Sequence, residues 1–294
     1  MDRRNALIAL AAVAPLALPG LAAAQGNYPQ KPVRLVVGFA AGSSTDVATR
    51  LLAEQLTQRL GQTFIVENKP GASSNIAAKD VAESAPDGYT LFVGTIANAI
   101  NVSFQPDRSP DLRKAFTPVA MIGSVPNLLV VRPTLGVHSM DELVKLAKSR
   151  PCKITMASSG NGTSPHLSGE LFASMAGIKL LHVPYKGSSL AVNDLLAGHV
   201  DMMFAPASSV LSHIKAGKLV ALASTGLERT PAAPELATVD ELGLKGFETS
   251  VWFGLVAPAG TGAPVVDRLA DATRAALEVP AVAAQFQTQG IDPV

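Results

Sequence analysis

The chain is short of the residues that mark several protein classes. It has a single cysteine, Cys152, in 294 residues, so no intramolecular disulfide can form. That thiol reads as a small packed hydrophobe. Charged residues make up only 16% and the formal charge is +1, which excludes the strongly basic face that nucleic-acid binding needs. Beyond residue 24 no apolar run has the length of a membrane span. The histidines at 138, 166, 182, 199 and 213 show no metal-ligand spacing. There is no G-x-S-x-G elbow, P-loop, H-E-x-x-H pair or G-x-G-x-x-G after a strand. No metal and no cofactor is expected.

What the chain does have is apolar residues, 48% of the total, enough for one large core or two medium ones, with two lobes favoured at this length. Residues 1–24 read as a secretory signal peptide. Arg3 and Arg4 precede an apolar span from Ala6 to Leu18, and Ala22-Ala23-Ala24 supplies the cleavage site. The adjacent arginines match a twin-arginine signal loosely, so the general export route is favoured. The absence of Cys at the cleavage site argues against a lipid anchor there. Without the leader, acidic and basic residues are equal in number. The expectation is an exported, soluble, neutral protein of the periplasm.

From Val33 onward short apolar runs alternate with helical patterns, the signature of an α/β fold with a parallel sheet. Strands are expected at Val33–Phe39, Phe64–Glu67 and Tyr89–Thr95, with helices from Thr45 or Asp46 to Gly61 and near Asn75–Ser84. Residues 101–118 read as a polar surface excursion. Val119–Val131 gives two apolar runs separated by Gly123 and Pro126. The plan then repeats, with strands at Lys153–Ala157, Leu180–Val183, Val200–Phe204 and Leu219–Ser224. Helices alternate with them at Pro165–Ala176, Ser189–Ala197 and Ser209–Ala216, after one capped by Ser139. Residues 228–246 form a second excursion with a short helix around Val239–Leu242. Phe247–Ala257 is a strand long enough to cross back, followed by helices at Pro264–Leu277 and Ala281–Gln289. The chain thus predicts a two-lobed α/β protein: lobe 1 from 25–126 and 250–294, lobe 2 from 127–249, with a ligand cleft between them.

The chemistry is sought in the strand-end loops. Met156 to His166 runs from an apolar segment through Gly160 and Gly162 into Pro165, a good first-turn residue, with Ser164 or Thr163 as the hydroxyl N-cap. Phe39 to Asp46 is built alike. Segments 184–189 and 205–209 are also small or hydroxyl-rich and precede helices. A helix start offers unpaired N–H groups and a positive dipole end, so such loops suit an anion without Lys or Arg. Asp46 either satisfies first-turn N–H groups or holds water against a ligand, and Asp201 either faces solvent or accepts bonds from a neighbouring loop. Ser158, Ser159 and Ser164 near His166 also permit an exported hydrolase, although loose Ser/His proximity is a weak signal.

Ordered motifs along the whole mature chain resemble one family. They include Pro32-Val33-Arg34-Leu35-Val36-Val37-Gly38-Phe39, Val66-Glu67-Asn68-Lys69-Pro70-Gly71 and Ala85-Pro86-Asp87-Gly88-Tyr89-Thr90. Gly160-Asn161-Gly162-Thr163 with His166, His182-Val183-Pro184-Tyr185-Lys186-Gly187 and Trp252-Phe253-Gly254 follow. The chain is similar to the Bug-type periplasmic receptors, the solute-binding components associated with tripartite tricarboxylate transporters. The resemblance implies a periplasmic binding-protein fold of type II-like form that closes on a small organic acid. Its grip would come from Phe39, Ala40, Gly42, Ser43, Ser44 and Asp46 on one lobe. The other lobe would supply Ser158, Ser159, Gly160, Asn161, Gly162, Thr163 and His166, with Pro184, Tyr185 and Lys186 close by. Asn98, Phe204 and Ser208 would select the far end of the ligand. Ala41, Ser43, Ser73 and Ser74 depart from the family's usual proline and glycines. The implied partners are integral-membrane transporter components or a membrane sensor, and a monomer with no catalytic residues is expected.

Overall fold

Val33–Val37 forms β1, whose Val and Leu residues are buried on both faces, as in a strand inside a parallel sheet, while the partly exposed Arg34 pairs with Glu67. A computed structural model describes residues 28–294, and the expected leader at 1–24 lies outside the described residues. α1 (Ser44–Leu60) begins after Ser43, whose Oγ accepts from the Asp46 amide at 3.4 Å. It ends on Gly61 at φ 70°, a left-handed C-cap that favours glycine. β2 (Phe64–Asn68) and β3 (Thr90–Thr95), linked by α2 (Asn75–Ala82), flank β1 in parallel. The polar excursion expected at 101–118 is partly helical: α3 covers Ile96–Phe104 and α4 covers Leu112–Ala115. Thr95 caps α3 and the Asn98 side chain bonds back to the Thr95 amide at 3.0 Å, a capping box with Asn in place of the usual Glu or Gln.

The two apolar runs expected around Gly123 and Pro126 are one strand of 16 residues, β4 (Phe116–Val131). Register shifts at Pro118/Ala120 and Met121/Gly123 absorb the awkward residues. The second half of the fold contains α5 (Met140–Ser149), β5 (Thr155–Ser158), α6 (Ser164–Ala176), β6 (Leu181–Pro184) and α7 (Ser188–Ala197). It continues through β7 (Met202–Pro206), α8 (Ala207–Lys215) and β8 (Val220–Ser224). β9 (Ser250–Pro258) then returns to the first half, followed by α9 (Ala263–Leu277), α10 (Pro280–Thr288) and a short β10 (Asp292–Pro293). Phe116–Pro126 of β4 pairs with β9, whereas Asn127–Val131 pairs with β7 and β8. One strand therefore serves two half-sheets, and the order runs β2-β1-β3-β9-β4-β7-β5-β6. Each half-sheet with its helices forms a lobe.

Several strands start two or three residues later than their apolar patterns suggest. Asp201 explains two of these shifts. It accepts from Arg132 Nε at 2.9 Å and from the Thr155 amide at 2.8 Å, and so holds the turns ahead of β5 and β7. The short helix expected around Val239–Leu242 does not form. Leu242 N bonds Thr238 O for one turn, but the Val239 amide is tied to Ser224 O at the end of β8. Cys152, expected to be packed, is exposed on the turn after α5 with φ 58°. A main core runs through both lobes, from Leu35, Leu52 and Phe253 to Met203 and Leu195. A second, around Phe172, Phe204 and Phe247, belongs to the second lobe.

Candidate functional site

A cavity lies between the lobes where the parallel strands end. Ser43, Ser44 and Thr45 enter it from the start of α1, and Thr95, Ile96 and Ala97 from the start of α3. From the opposite side come Thr163, Ser164 and Pro165 at α6, Ser188 at α7 and Pro206 at α8. Phe39, Ser159 and Val251 complete the lining. Five helix N-termini, two from one lobe and three from the other, thus converge on one space. Each carries roughly half a positive charge on its first-turn N–H groups. Among the described residues that line the cavity there is no Lys or Arg.

The hydroxyls are arranged in the same sense. Ser188 Oγ accepts from Ser209 Oγ at 2.8 Å and, across the lobes, from the Ser44 amide at 3.4 Å. Ser164 Oγ accepts from Asn127 Nδ2 at 2.7 Å, and Ser43 Oγ from the Asp46 amide. A hydroxyl that accepts from the protein behind it keeps its own proton to give. The cavity is therefore rich in donors. Thr163 differs from expectation: its hydroxyl donates to Gly160 O at 2.6 Å and makes no cap bond to α6.

Asp46 faces away from this space. It accepts from the Gly42 amide, Arg50 Nε and Asn68 Nδ2, each at 2.9 Å. Burial alone would push its carboxyl up, but those donors outweigh it and hold Asp46 below the ordinary carboxylate range. It shapes the 39–46 loop from within, through the Gly42 amide ahead of the helix and two side-chain donors and not through first-turn N–H groups.

Other expected site residues join the lobes around the cavity. The Ala40 amide donates to Lys186 O at 3.1 Å, and Ser189 Oγ donates to Ala41 O at 2.9 Å. Ser73 Oγ reaches Asn161 O at 2.5 Å. Gly187 has φ 148°, and a Cβ there would lie 3.0 Å from the Ala40 amide nitrogen, so glycine permits the approach. Lys186 is exposed and takes part through its carbonyl. Pro184 is exposed, and the Tyr185 hydroxyl donates to Asp194 at 2.5 Å, within its own lobe.

His166 Nδ1 accepts from the Gly162 amide at 3.1 Å, and the ring stacks on His182 with centroids 4.1 Å apart. Burial pushes both imidazoles down, His182 to about 4, so both are neutral near pH 7. His182 Nε2 lies 2.6 Å from Ser158 Oγ, which is fully buried and also accepts from the Gly160 amide. This pair has the reach of a nucleophile and base, yet neither residue lines the cavity.

Of the expected residues, Phe39, Ser43, Ser44, Ser159 and Thr163 face the cavity, while Ala40, Gly42, Asn161 and Gly162 build the loops and seam around it. Phe204 is a correction: it is fully buried between Phe172 and Phe247 in the second core. Asn98 is buried as the capping partner of Thr95, and Ser208 lies outside the lining. Sequence reasoning missed Thr95, Ile96, Ala97 and Val251 as lining residues, whereas Thr45, Ser164, Pro165, Ser188 and Pro206 lie in loops it had marked for an anion. The loops at 184–189 and 205–209 had signalled Ser188 and Pro206 by composition. Thr95 was lost with the helix it caps.

A family profile described as "Tripartite tricarboxylate transporter family receptor" matches residues 48–294. Protein BugT of Bordetella pertussis is 38% identical over 283 residues, covering 95% of this chain and 87% of that protein. Among solved structures, Rpa4515 of R. palustris with adipate superposes with a TM-score of 0.88 at 37% identity, over 90% of this chain and 89% of that one. MatC from Rhodopseudomonas palustris with bound malate gives 0.86 at 32% identity, over 90% of each chain. The architecture is the two-lobed periplasmic binding-protein fold. On this combined sequence and structural match, the chain belongs to the tripartite tricarboxylate transporter receptor family.

Proposed function

We propose that this protein is a periplasmic receptor, not an enzyme, that closes on a small organic acid and delivers it to a tripartite tricarboxylate-type transporter in the membrane. The observation that carries the reading is the convergence of five helix starts and the hydroxyls of Ser43, Ser44, Ser164 and Ser188 on one cavity whose lining has no Lys or Arg. A carboxylate accepts hydrogen bonds and donates none, which is what such a lining favours. Ile96, Ala97, Pro206 and Val251 supply an apolar stretch suited to an aliphatic chain. The relatives named with adipate and malate bind small aliphatic dicarboxylates. An aliphatic dicarboxylate is the class we favour.

The two lobes, 25–126 with 250–294 and 127–249, close about the crossings at Asn127–Val131 and Phe247–Ala257. Ser44, Ala40 and Ser73 bond the opposite lobe only when the halves meet, so a ligand bridging both would favour this form. A thermal-shift screen against C4 to C6 dicarboxylates, citrate, acidic amino acids and aromatic acids tests the reading. A ligand at a hundred times its Kd adds about 2.7 kcal/mol of stability. A flat screen across the panel, or conversion of the bound acid to a product, would sink the proposal.

A further inference from the structure

The hinge and the cavity share a buried polar cluster that the carboxylate reading does not by itself require. Asn127 is the first residue of β4 to pair with the second half-sheet, opposite Pro206. Its main chain is fixed by Thr225, which receives the Asn127 amide on Oγ1 at 2.9 Å and returns its own amide to Asn127 O at 3.0 Å. Thr225 in turn donates to Thr249 O, one residue before β9. Both crossing strands are thus locked to one point. From there Asn127 Nδ2 reaches Ser164 Oγ at 2.7 Å and Ser168 Oγ at 3.2 Å. Asn127 and Ser168 are fully buried, and Ser164 is 5% exposed and lines the cavity.

The orientation of the amide matters. Placed as it is, both Nδ2 protons have an oxygen to go to and only Oδ1 lacks a partner among the described residues. The reverse would leave two buried donors unpaired, and orphaned N–H groups are rarer than orphaned carbonyls. With its oxygen already accepting from Asn127, Ser164 has a proton left for whatever occupies the cavity.

We propose that Asn127 is a positioning residue: from the crossing strand it holds the Ser164 hydroxyl with its proton directed at the ligand carboxylate. The strength of the grip from α6 is thereby set at the point about which the lobes move. The proposal rests on the carboxylate-receptor reading. It adds that a residue outside the cavity governs affinity through one named hydroxyl.

The test is a double-mutant cycle read by titration calorimetry, with adipate and malate as first probes and then the best acid of the thermal-shift screen. Ser164→Ala should weaken binding about tenfold to a hundredfold, the effect of one hydrogen bond to a charged group. Asn127→Leu should weaken it by a similar factor, and the double variant by no more than Ser164→Ala alone. A merely structural Asn127 would give losses that multiply, and that outcome, or full affinity in folded Asn127→Leu, overturns the proposal. If Asn127→Leu does not fold, Asn127→Ser, too short to reach Ser164, takes its place in the cycle. Failure of the wild-type protein to bind any acid removes the receptor reading and this proposal with it, whereas wild-type binding with multiplying losses removes only the role of Asn127.

Discussion

Gly187→Ala separates the two things that a glycine at the seam does. At φ 148° an L side chain is strained whether the lobes are together or apart, which costs about 1–3 kcal/mol of stability. That part lowers the melting temperature of the ligand-free protein and leaves affinity alone. The second part exists only in the closed form. The new Cβ would sit 3.0 Å from the Ala40 amide nitrogen and 3.3 Å from its Cβ, beside the Ala40 to Lys186 hydrogen bond of 3.1 Å. Relieving the contact moves the two loops apart and lengthens that bond. Leaving the Ala40 N–H without its acceptor costs about 1–3 kcal/mol, which corresponds to roughly 5- to 150-fold in apparent affinity when charged to the closed state alone. Calorimetric titration with the acid found by screening gives the affinity, and thermal melting of the unliganded variant gives the strain. A folded Gly187→Ala protein that binds with wild-type affinity would refute the claim that this seam closes on the ligand.

Gly162→Leu should weaken acid binding at least tenfold by calorimetry, since even a Cβ there meets Asn101 Oδ1 at 2.8 Å and Phe104 at 3.2 Å across the seam. Melting temperature should fall as pH drops from 6.5 towards 4. The unfolded chain takes up protons on His166 and His182 in that window while the buried rings resist them. His182→Gln should flatten that slope, and an unchanged slope would show that the imidazole pair is not its source. Asp46→Ala strips the Gly42 amide and Asn68 of their acceptor and should cost about 2–4 kcal/mol in urea denaturation. Full stability in that variant would mean that the 39–46 loop does not depend on the carboxylate.

Much of the site's placement was legible because helix starts announce themselves locally. Ser43 ahead of Asp46, Pro165 after Ser164, and Gly187 before Ser188 are each readable within a few residues. So was the α/β rhythm that puts those starts at one edge of a sheet. Side-chain direction was not. Asp46 and Tyr185 are held by Asn68, Arg50 and Asp194, and nothing in their neighbouring residues tells which way they turn. Phe204 sits in a strand buried on both faces, so its type alone could not say whether it met ligand or core. β4 was read as two runs because glycine and proline usually interrupt strands, and two register shifts let it continue. α3 was missed because Asn98 does a task usually given to an acidic or amide residue one methylene longer.

The uncharged lining has a kinetic consequence. Partial charges at helix ends fade within about a turn, so an acid in bulk solvent feels little pull from this protein, whose overall charge is near zero. Encounter is then left to diffusion, and the rate of capture should hardly respond to ionic strength. A receptor made this way works at the same pace in brine and in fresh water.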